Sequence, residues 1–156
     1  MKGKISYREF SPSYKYTHLA YCYWSLHTAE PLTSNFEYVV LPDACVDLVF
    51  SLNPVDDITG VLIMTAGTSI QTVSLDRQFH YIGIRLYPGV LHEDHRKLIG
   101  EGIISSNLLS EYRYRNVRLL RVESTGEKLV KELGQVLEEL IISNHVKTDS
   151  PIIKIL

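Results

Sequence analysis

The chain of 156 residues has only two cysteines, no excess of basic charge and no long apolar run. Cys22 and Cys45 form no C-x-x-C motif, and two thiols are too few for a zinc site of their own. We therefore expect them to be small buried side chains in a reducing cytoplasm. The 16 basic and 18 acidic residues give a formal net charge of -2, which argues against a basic face that binds a phosphate backbone directly.

The sequence also lacks the segments that direct a protein to or across a membrane. No apolar run approaches the roughly 18 residues that a transmembrane helix requires. The first residues, from Met1 to Phe10, contain no long apolar core of a signal peptide. Hydrophobic residues at 45% and charged residues at 22% are typical of a globular domain with one sizeable core. We expect a cytoplasmic protein without a membrane partner.

Short apolar segments separated by turn residues dominate the first ninety or so residues. They are Leu19–Leu26, Phe36–Val40, Leu41–Leu52 with a turn at Pro42-Asp43, Gly60–Ala66, Gln71–Leu75 and His80–Tyr87. No long helical pattern separates them. This spacing favours an antiparallel barrel or sandwich over a fold of alternating strands and helices.

Two of these strands carry a charged residue in the middle of an apolar run. Alternation places Asp47 on the face opposite Val46, Leu48 and Phe50, and Arg85 occupies a similar central position in its own strand. An unpaired buried charge costs several kcal/mol, so each charge should have a partner. One alternative is a structural Asp-Arg bridge or a pair of solvent-facing side chains. The other makes Arg85 a fork for a carboxylate or phosphate group of a ligand.

Aromatic residues are abundant, with ten tyrosines and a single tryptophan, Trp24. Tyrosine combines a flat apolar ring with a polar tip, which suits the wall of a ligand pocket. The residues that could form such a wall are Tyr21, Tyr23, Trp24, Tyr38, Tyr81 and Tyr87. The alternative is that these rings fill the core and rim of a small barrel.

A helix is predicted from Thr125 to about Ser143, after the capping box formed by Ser124 and Glu127. Its apolar residues recur at helical spacing, and the stripe is wide enough to cover a sheet and still contact a second copy of the chain. We expect a homodimer through Leu129, Leu133, Val136, Leu137 and Leu140. The alternative is that the helix only covers one open face of the sheet.

Three motifs follow one another in a fixed order along the chain. They are Tyr23-Trp24, then Leu41-Pro42-Asp43 followed by Asp47-Leu48-Val49-Phe50, and finally Gly83-Ile84-Arg85-Leu86-Tyr87-Pro88-Gly89. Over roughly residues 10–156 this order resembles the N-terminal domain that precedes the helix-turn-helix region in a subset of AraC-type bacterial transcription regulators.

The resemblance implies an α+β fold, a mostly antiparallel cupin-like β-barrel or sandwich followed by C-terminal helices. It divides the chain into a sensor-like barrel at residues 1–122, a helical dimerisation or cover segment at 123–146, and a linker at 147–156. The linker would lead to a helix-turn-helix domain that this sequence does not include, so DNA would be contacted only through that domain. Such domains sense a small molecule, mediate dimerisation, or do both.

We therefore expect a non-enzymatic domain that binds a small organic effector. Aromatic rings would enclose the ligand, and Arg85 or Asp47 would fix its polarity. The expected ligand-binding residues are Tyr23, Trp24, Asp47, Arg85 and Tyr87. No nucleophile elbow, phosphate-binding glycine loop or dinucleotide fingerprint is present, so we expect no catalytic residue and no cofactor.

Two alternatives remain open from the residues. His92 and His95 would share a helix face, and with His80 they could hold a metal in a small cupin-like metalloenzyme. The bland interpretation of His92 and His95 is a solvated polar helix end. The second alternative is an interaction domain with a solid core and no pocket.

Overall fold

The computed structural model describes residues 4–40, 45–52, 58–64, 70–91, 103–105, 126–142 and 146. Within these residues the chain is mostly antiparallel β-structure with one C-terminal α-helix, as the sequence predicts. The elements are β1 (Ile5–Phe10), a 3₁₀ turn (Tyr14–Tyr16), β2 (Ala20–Thr28), β3 (Phe36–Val40), β4 (Val46–Leu52), β5 (Ile58–Met64), β6 (Gln71–Leu75), β7 (His80–Leu86), β8 (Ile103–Ser105) and α1 (Gly126–Ile142).

The described strands form two sheets. The larger has six strands in the order β1-β2-β7-β4-β5-β8, and the smaller pairs β3 with β6. Every strand pairing is antiparallel. The expectation was a barrel or a sandwich. The described part of the larger sheet is open, with β1 and β8 at its edges, so the described strands show antiparallel sheets and no closed barrel.

The central strands of the larger sheet bury both of their faces. On β4, Leu48 and Phe50 belong to one hydrophobic cluster, and Val49 between them belongs to a second cluster on the opposite face. This alternation follows from the two-residue period of a strand and confirms the faces predicted for this segment. The sheet therefore separates two cores, one beneath α1 and one beneath the β3–β6 sheet.

Helix α1 covers the first of these faces. Its side chains Leu129, Leu133, Val136, Leu137 and Leu140 are buried in the same cluster as Leu48, Phe50, Ile82 and Ile84. The hydroxyl of Tyr16 on the 3₁₀ turn donates a 2.7 Å hydrogen bond to Oε2 of Glu138, which ties the turn to the helix. The five residues expected at a dimer contact thus lie in the core of their own chain, as in the alternative of a covering helix. The homodimer itself stays a prediction.

Several expectations fall outside the described residues. They concern the turn at Pro42-Asp43, the capping residue Ser124, the histidines His92 and His95, and the linker at 147–156. Where the helix is described, from Gly126 to Ile142, its bounds agree closely with those predicted. Of the helices in the described ranges, none has both the length and the apolar character that crossing a bilayer requires.

Candidate functional site

A cavity of about 150 Å³ lies between the six-stranded sheet and the β3–β6 sheet. Strand β2 contributes two residues to its wall, and β3, β4, β5 and β7 contribute one each. Strand β6 contributes three consecutive residues. The lining residues are Trp24, Leu26, Tyr38, Val49, Met64, Val73, Ser74, Leu75 and Tyr81. Among the described residues the wall is mostly apolar and contains no charged side chain, which is the usual character of a small-molecule pocket.

The floor of the cavity is set by the strand register. Trp24 on β2 lies opposite Gly83 on β7, and Gly83 lies opposite Val49 on β4. A Cβ atom added at Gly83 would fall onto the Cε2, Cζ2 and Nε1 atoms of Trp24. The indole therefore occupies the space above the strand that only glycine leaves open.

Trp24 is buried and stacked against another ring, and its indole nitrogen lacks a hydrogen-bond partner among the described residues. The residue is only 6% exposed, and the ring of Tyr7 stacks on it at a centroid distance of 6.3 Å. Its indole N–H has no hydrogen-bond acceptor among the described residues. A buried tryptophan N–H usually finds a partner, so this donor is an exception, and its nitrogen is closed off from water over Gly83.

We expect Gly83→Ala to lower the free energy of unfolding by about 2 kcal/mol, because the new methyl group overpacks against Trp24. Urea unfolding followed by circular dichroism measures the change. Gly134→Ala is the matched control: its Cβ would lie 3.1 Å from Cε2 of Tyr16, and alanine is the better helix former by about 1 kcal/mol. A Gly83→Ala protein no less stable than Gly134→Ala would contradict the placement of the indole.

The two-stranded sheet forms the roof. Tyr38 on β3 lies directly opposite Val73 on β6, and both line the cavity. Val39, the neighbour of Tyr38, is 53% exposed, so the two residues occupy opposite faces of the strand. Burial raises the pKa of Tyr38, and burial likewise raises the pKa of Tyr81 on the floor. Both hydroxyls therefore keep their protons at neutral pH.

The predicted proximity of Asp47 and Arg85 is confirmed. They are cross-strand partners on β4 and β7, and Nε of Arg85 donates a 3.1 Å hydrogen bond to Oδ1 of Asp47. Their side chains are 13% and 22% exposed, respectively. Burial opposes the charge of Arg85, but the charge and the hydrogen bond of Asp47 outweigh it and raise the pKa of the guanidinium.

The ion pair lies beside the cavity and not in its wall. Asp47 is paired in register with Met64, which does line the cavity. Along each strand the pair is two residues from the Trp24–Gly83–Val49 row, a distance of about 7 Å on the same face. Cys22 on β2 lies opposite Arg85, in the same cross-strand row as the ion pair. Burial raises the pKa of its thiol to about 11, so the thiol stays protonated at neutral pH.

Replacing one partner of this ion pair should lower the free energy of unfolding more than replacing both partners with apolar side chains. We expect Arg85→Met alone to lower the free energy of unfolding by about 2 kcal/mol, since Asp47 loses the guanidinium in a largely buried position. The double variant Arg85→Met with Asp47→Leu should recover at least half of that loss. Urea unfolding of both single variants and the double variant completes the cycle. Additive losses in the double variant would show that the two side chains do not interact energetically.

Two of the five expected ligand-binding residues lie away from the cavity. Tyr23 is buried in the cluster beneath α1, because neighbouring residues on a strand point to opposite faces and Trp24 points to the cavity. Tyr87 packs partly against the same helix-side cluster and contacts Tyr21 edge-on at 6.0 Å. The expected set therefore does not form one site.

Of the three histidines considered as metal ligands, the described part of the chain contains His80. His80 lies in register with His27 and Leu52, buried at one end of the larger sheet, and the rings of the two histidines meet edge-on at 5.5 Å. His92 and His95 lie outside the described residues. The residues that the structure describes contain no group of three or more histidine, cysteine, aspartate or glutamate side chains that could hold a metal ion.

Other cavity residues were not identified from the sequence. Met64, Val73 and Val49 belong to ordinary apolar or alternating runs, and only the pairing of the two sheets brings them to one place. One signal was present: Gly83 lies in the interior of strand β7, and an interior strand glycine often marks a point of close approach.

A family model described as a domain of unknown function, DUF6597, matches residues 8–97. These residues are more than half of the 156. The chain belongs to the DUF6597 family. The DUF6597 match includes every residue that lines the cavity as well as Asp47 and Arg85, whereas α1 lies beyond it. No curated protein and no solved structure matches the chain.

Proposed function

We propose that this domain senses a small organic molecule, which it binds in the cavity between the two sheets without transforming it chemically. The observation that carries the proposal is the cavity itself. Its described wall is largely apolar, it includes the rings of Trp24, Tyr38 and Tyr81, and it contains a few polar side chains, among them Ser74. A few polar groups in an apolar pocket are what fix the orientation of a small ligand.

We further propose that the domain belongs to a bacterial transcription regulator of the AraC type. This part rests on the resemblance carried by Tyr23-Trp24, Asp47–Phe50 and Gly83–Gly89. In that setting a helix-turn-helix domain contacts DNA, the sensor has cupin-like character, and the protein is a homodimer in the cytoplasm. The ligand acts by favouring one arrangement of the dimer over another.

The position of the cavity supports a sensing role, because the strands that form its floor also carry the helix-side core. Trp24 contacts the cavity, and Tyr23 beside it packs in the cluster that holds α1. A ligand would touch both sheets at once and so fix the position of the β3–β6 sheet on the larger one. Any shift of β2, β7 or β4 is transmitted through a single layer of backbone to α1.

A thermal-shift screen of small organic compounds tests the proposal with two matched variants. Val73→Phe fills the cavity from the roof, and Val39→Phe places the same ring on the outer face of the same two-stranded sheet. We expect at least one compound to stabilise the wild type and Val39→Phe but not Val73→Phe. At a concentration 100-fold above Kd, the stabilisation should be about 2.7 kcal/mol.

Other outcomes of the screen favour the alternatives. If no compound stabilises the wild type, or if every shift is unchanged in Val73→Phe, the pocketless interaction domain becomes the better description. Metal analysis of the purified protein addresses the metalloenzyme: a stoichiometric metal that is lost in His92→Ala would favour it over the sensor.

A further inference from the structure

The ion pair with Asp47 uses only part of the Arg85 guanidinium. Nε of Arg85 donates its hydrogen to Oδ1 of Asp47, and the remaining N–H groups of the side chain are on Nη1 and Nη2. Neither Nη atom has a hydrogen-bond acceptor among the described residues. Neither is among the described side-chain atoms that are both buried and without a partner, so solvent reaches both. The end of the guanidinium is therefore open to an acceptor from a ligand.

Two phenol hydroxyls lie near the guanidinium, one from the edge strand β1 and one from the roof of the cavity. Burial raises the pKa of Tyr7 to about 12, and the positive charge of Arg85 opposes this rise. Burial also raises the pKa of Tyr38, and Arg85 opposes that rise as well. Both hydroxyls are therefore protonated at neutral pH, and neither has an acceptor among the described residues. The region around the end of Arg85 is thus rich in hydrogen-bond donors.

This group of donors fits a carboxylate. A guanidinium binds the planar carboxylate group through parallel N–H···O bonds, and hydrogen bonds to an ionised acceptor are the strong ones. Asp47 is the nearest competing charge, whereas Glu9 on β1 is exposed and its charge is screened by water. A phosphate monoester carries about 1.5 to 2 negative charges at neutral pH, so Asp47 would oppose it more strongly than a carboxylate.

The strand register connects Arg85 to the cavity. Arg85 is paired with Asp47, and Asp47 is paired with Met64, which lines the cavity. Gly83 in the floor lies two residues before Arg85 on β7, a distance of about 7 Å on the same face of the sheet. The cavity is half-open, so an occupant can extend beyond it. A ligand can therefore place an apolar part between the sheets and a polar end beside Arg85.

We infer that Arg85 binds the carboxylate of a ligand whose apolar part lies in the cavity between the two sheets. This inference rests on the proposed function and deepens it by naming the ligand class, a monocarboxylate with an apolar body. Asp47 is a positioning residue, because its hydrogen bond with Nε fixes the orientation of the guanidinium before the ligand arrives. The hydroxyls of Tyr7 and Tyr38 are further donors for the carboxylate.

A series of phenylalkanoates, from benzoate to phenylvalerate, tests the class. Each acid is compared with its primary amide, which has nearly the same shape but no charge. Isothermal titration calorimetry of the wild type at neutral pH should give at least one of the longer acids a Kd at least about tenfold lower than that of its amide. Benzoate should show no such preference, because its ring and its charge are too close together to connect the cavity with Arg85. Equal binding of every acid and its amide would overturn the inference.

Two variants test the role of Arg85, and circular dichroism establishes that each is folded. In the double variant Arg85→Met with Asp47→Leu, the preferred acid and its amide should have Kd values within about threefold of each other. Asp47→Asn keeps an oxygen for the bond from Nε but removes the competing negative charge. The preference for the acid over the amide should therefore grow by about threefold or more in Asp47→Asn. An ion pair with a purely structural role would not increase this preference.

A retained preference for the acid in the double variant would overturn the role of Arg85. Val73→Phe and Val39→Phe locate the apolar part of the ligand, since the acid should lose its binding in Val73→Phe alone.

The inference and the proposed function can fail separately. If no phenylalkanoate binds, but another compound stabilises the wild type and Val39→Phe and not Val73→Phe, the ligand class is wrong and the sensing function stands. If no compound in the screen acts through the cavity, both are wrong.

Discussion

Replacing Leu137 with alanine is expected to lower the free energy of unfolding by roughly 3 kcal/mol, at low and at high protein concentration alike. Leu137 is fully buried in the cluster between α1 and the six-stranded sheet. Truncation of a buried leucine removes its transfer free energy and leaves a cavity, and such changes cost about 2–5 kcal/mol. Urea unfolding at two protein concentrations that differ 100-fold measures both the size of the loss and its independence of concentration.

Gln135 on the exposed side of the same helix provides the control. Gln135→Ala should change the free energy of unfolding by less than about 0.5 kcal/mol. Equilibrium sedimentation should give Leu137→Ala the same oligomeric state as the wild type, because a dimer formed through α1 would use the outer side chains. If Leu137→Ala turned a dimer into a monomer of undiminished stability, the predicted dimer contact would be right and the intramolecular packing of α1 would be wrong.

Acid is expected to destabilise the protein through His80. Burial and, secondarily, the nearby His27 lower the pKa of His80 from 6.5 to about 4. Between these pH values the imidazole binds a proton more readily in the unfolded chain than in the folded chain. The free energy of unfolding is therefore highest above about pH 6.5 and falls as the pH drops toward 4. The difference in pKa corresponds to a loss of roughly 3 kcal/mol, which levels off at lower pH.

Chemical unfolding at a series of pH values from 8 to 4 measures this loss. Aspartate and glutamate side chains also change the free energy of unfolding at acidic pH, so a variant is needed to isolate the contribution of His80. His80→Gln should remove most of the decline between pH 6.5 and 4, whereas His18→Gln, a change at an exposed position, should leave it as in the wild type. If the free energy of unfolding depended on pH in the same way in the wild type and in His80→Gln, burial would not be keeping the imidazole of His80 neutral.

Much of the fold could be predicted from local patterns. The strands Phe36–Val40 and Gln71–Leu75 have the bounds that were predicted, and the described helix, Gly126–Ile142, lies within the predicted one. Edge strand β1 was not predicted, because Tyr7 and its neighbours are exposed and their pattern shows no apolar face. Its place in the sheet depends on backbone hydrogen bonds to β2, which leave little trace in the side chains.

The candidate site was predicted only in part. Two charges in apolar strands have few low-energy arrangements, so the pairing of Asp47 with Arg85 could be inferred without a structure. Which aromatic rings share a space could not, because that depends on which strands pair and in what register. Tyr23 and Trp24 are adjacent in sequence, yet one lies in the helix-side core and the other beside the cavity.

The small β3–β6 sheet gives the proposed ligand site a way to change in evolution. Its two strands pair with each other and not with the larger sheet, yet Tyr38, Val73, Ser74 and Leu75 supply nearly half of the cavity wall. Substitutions at these four positions would alter the shape and polarity of the cavity while the α1 core on the far face of the larger sheet stays intact. In the proposed sensor, the residues that would set selectivity thus lie apart from the α1 core, and related domains would recognise different compounds on the same larger sheet.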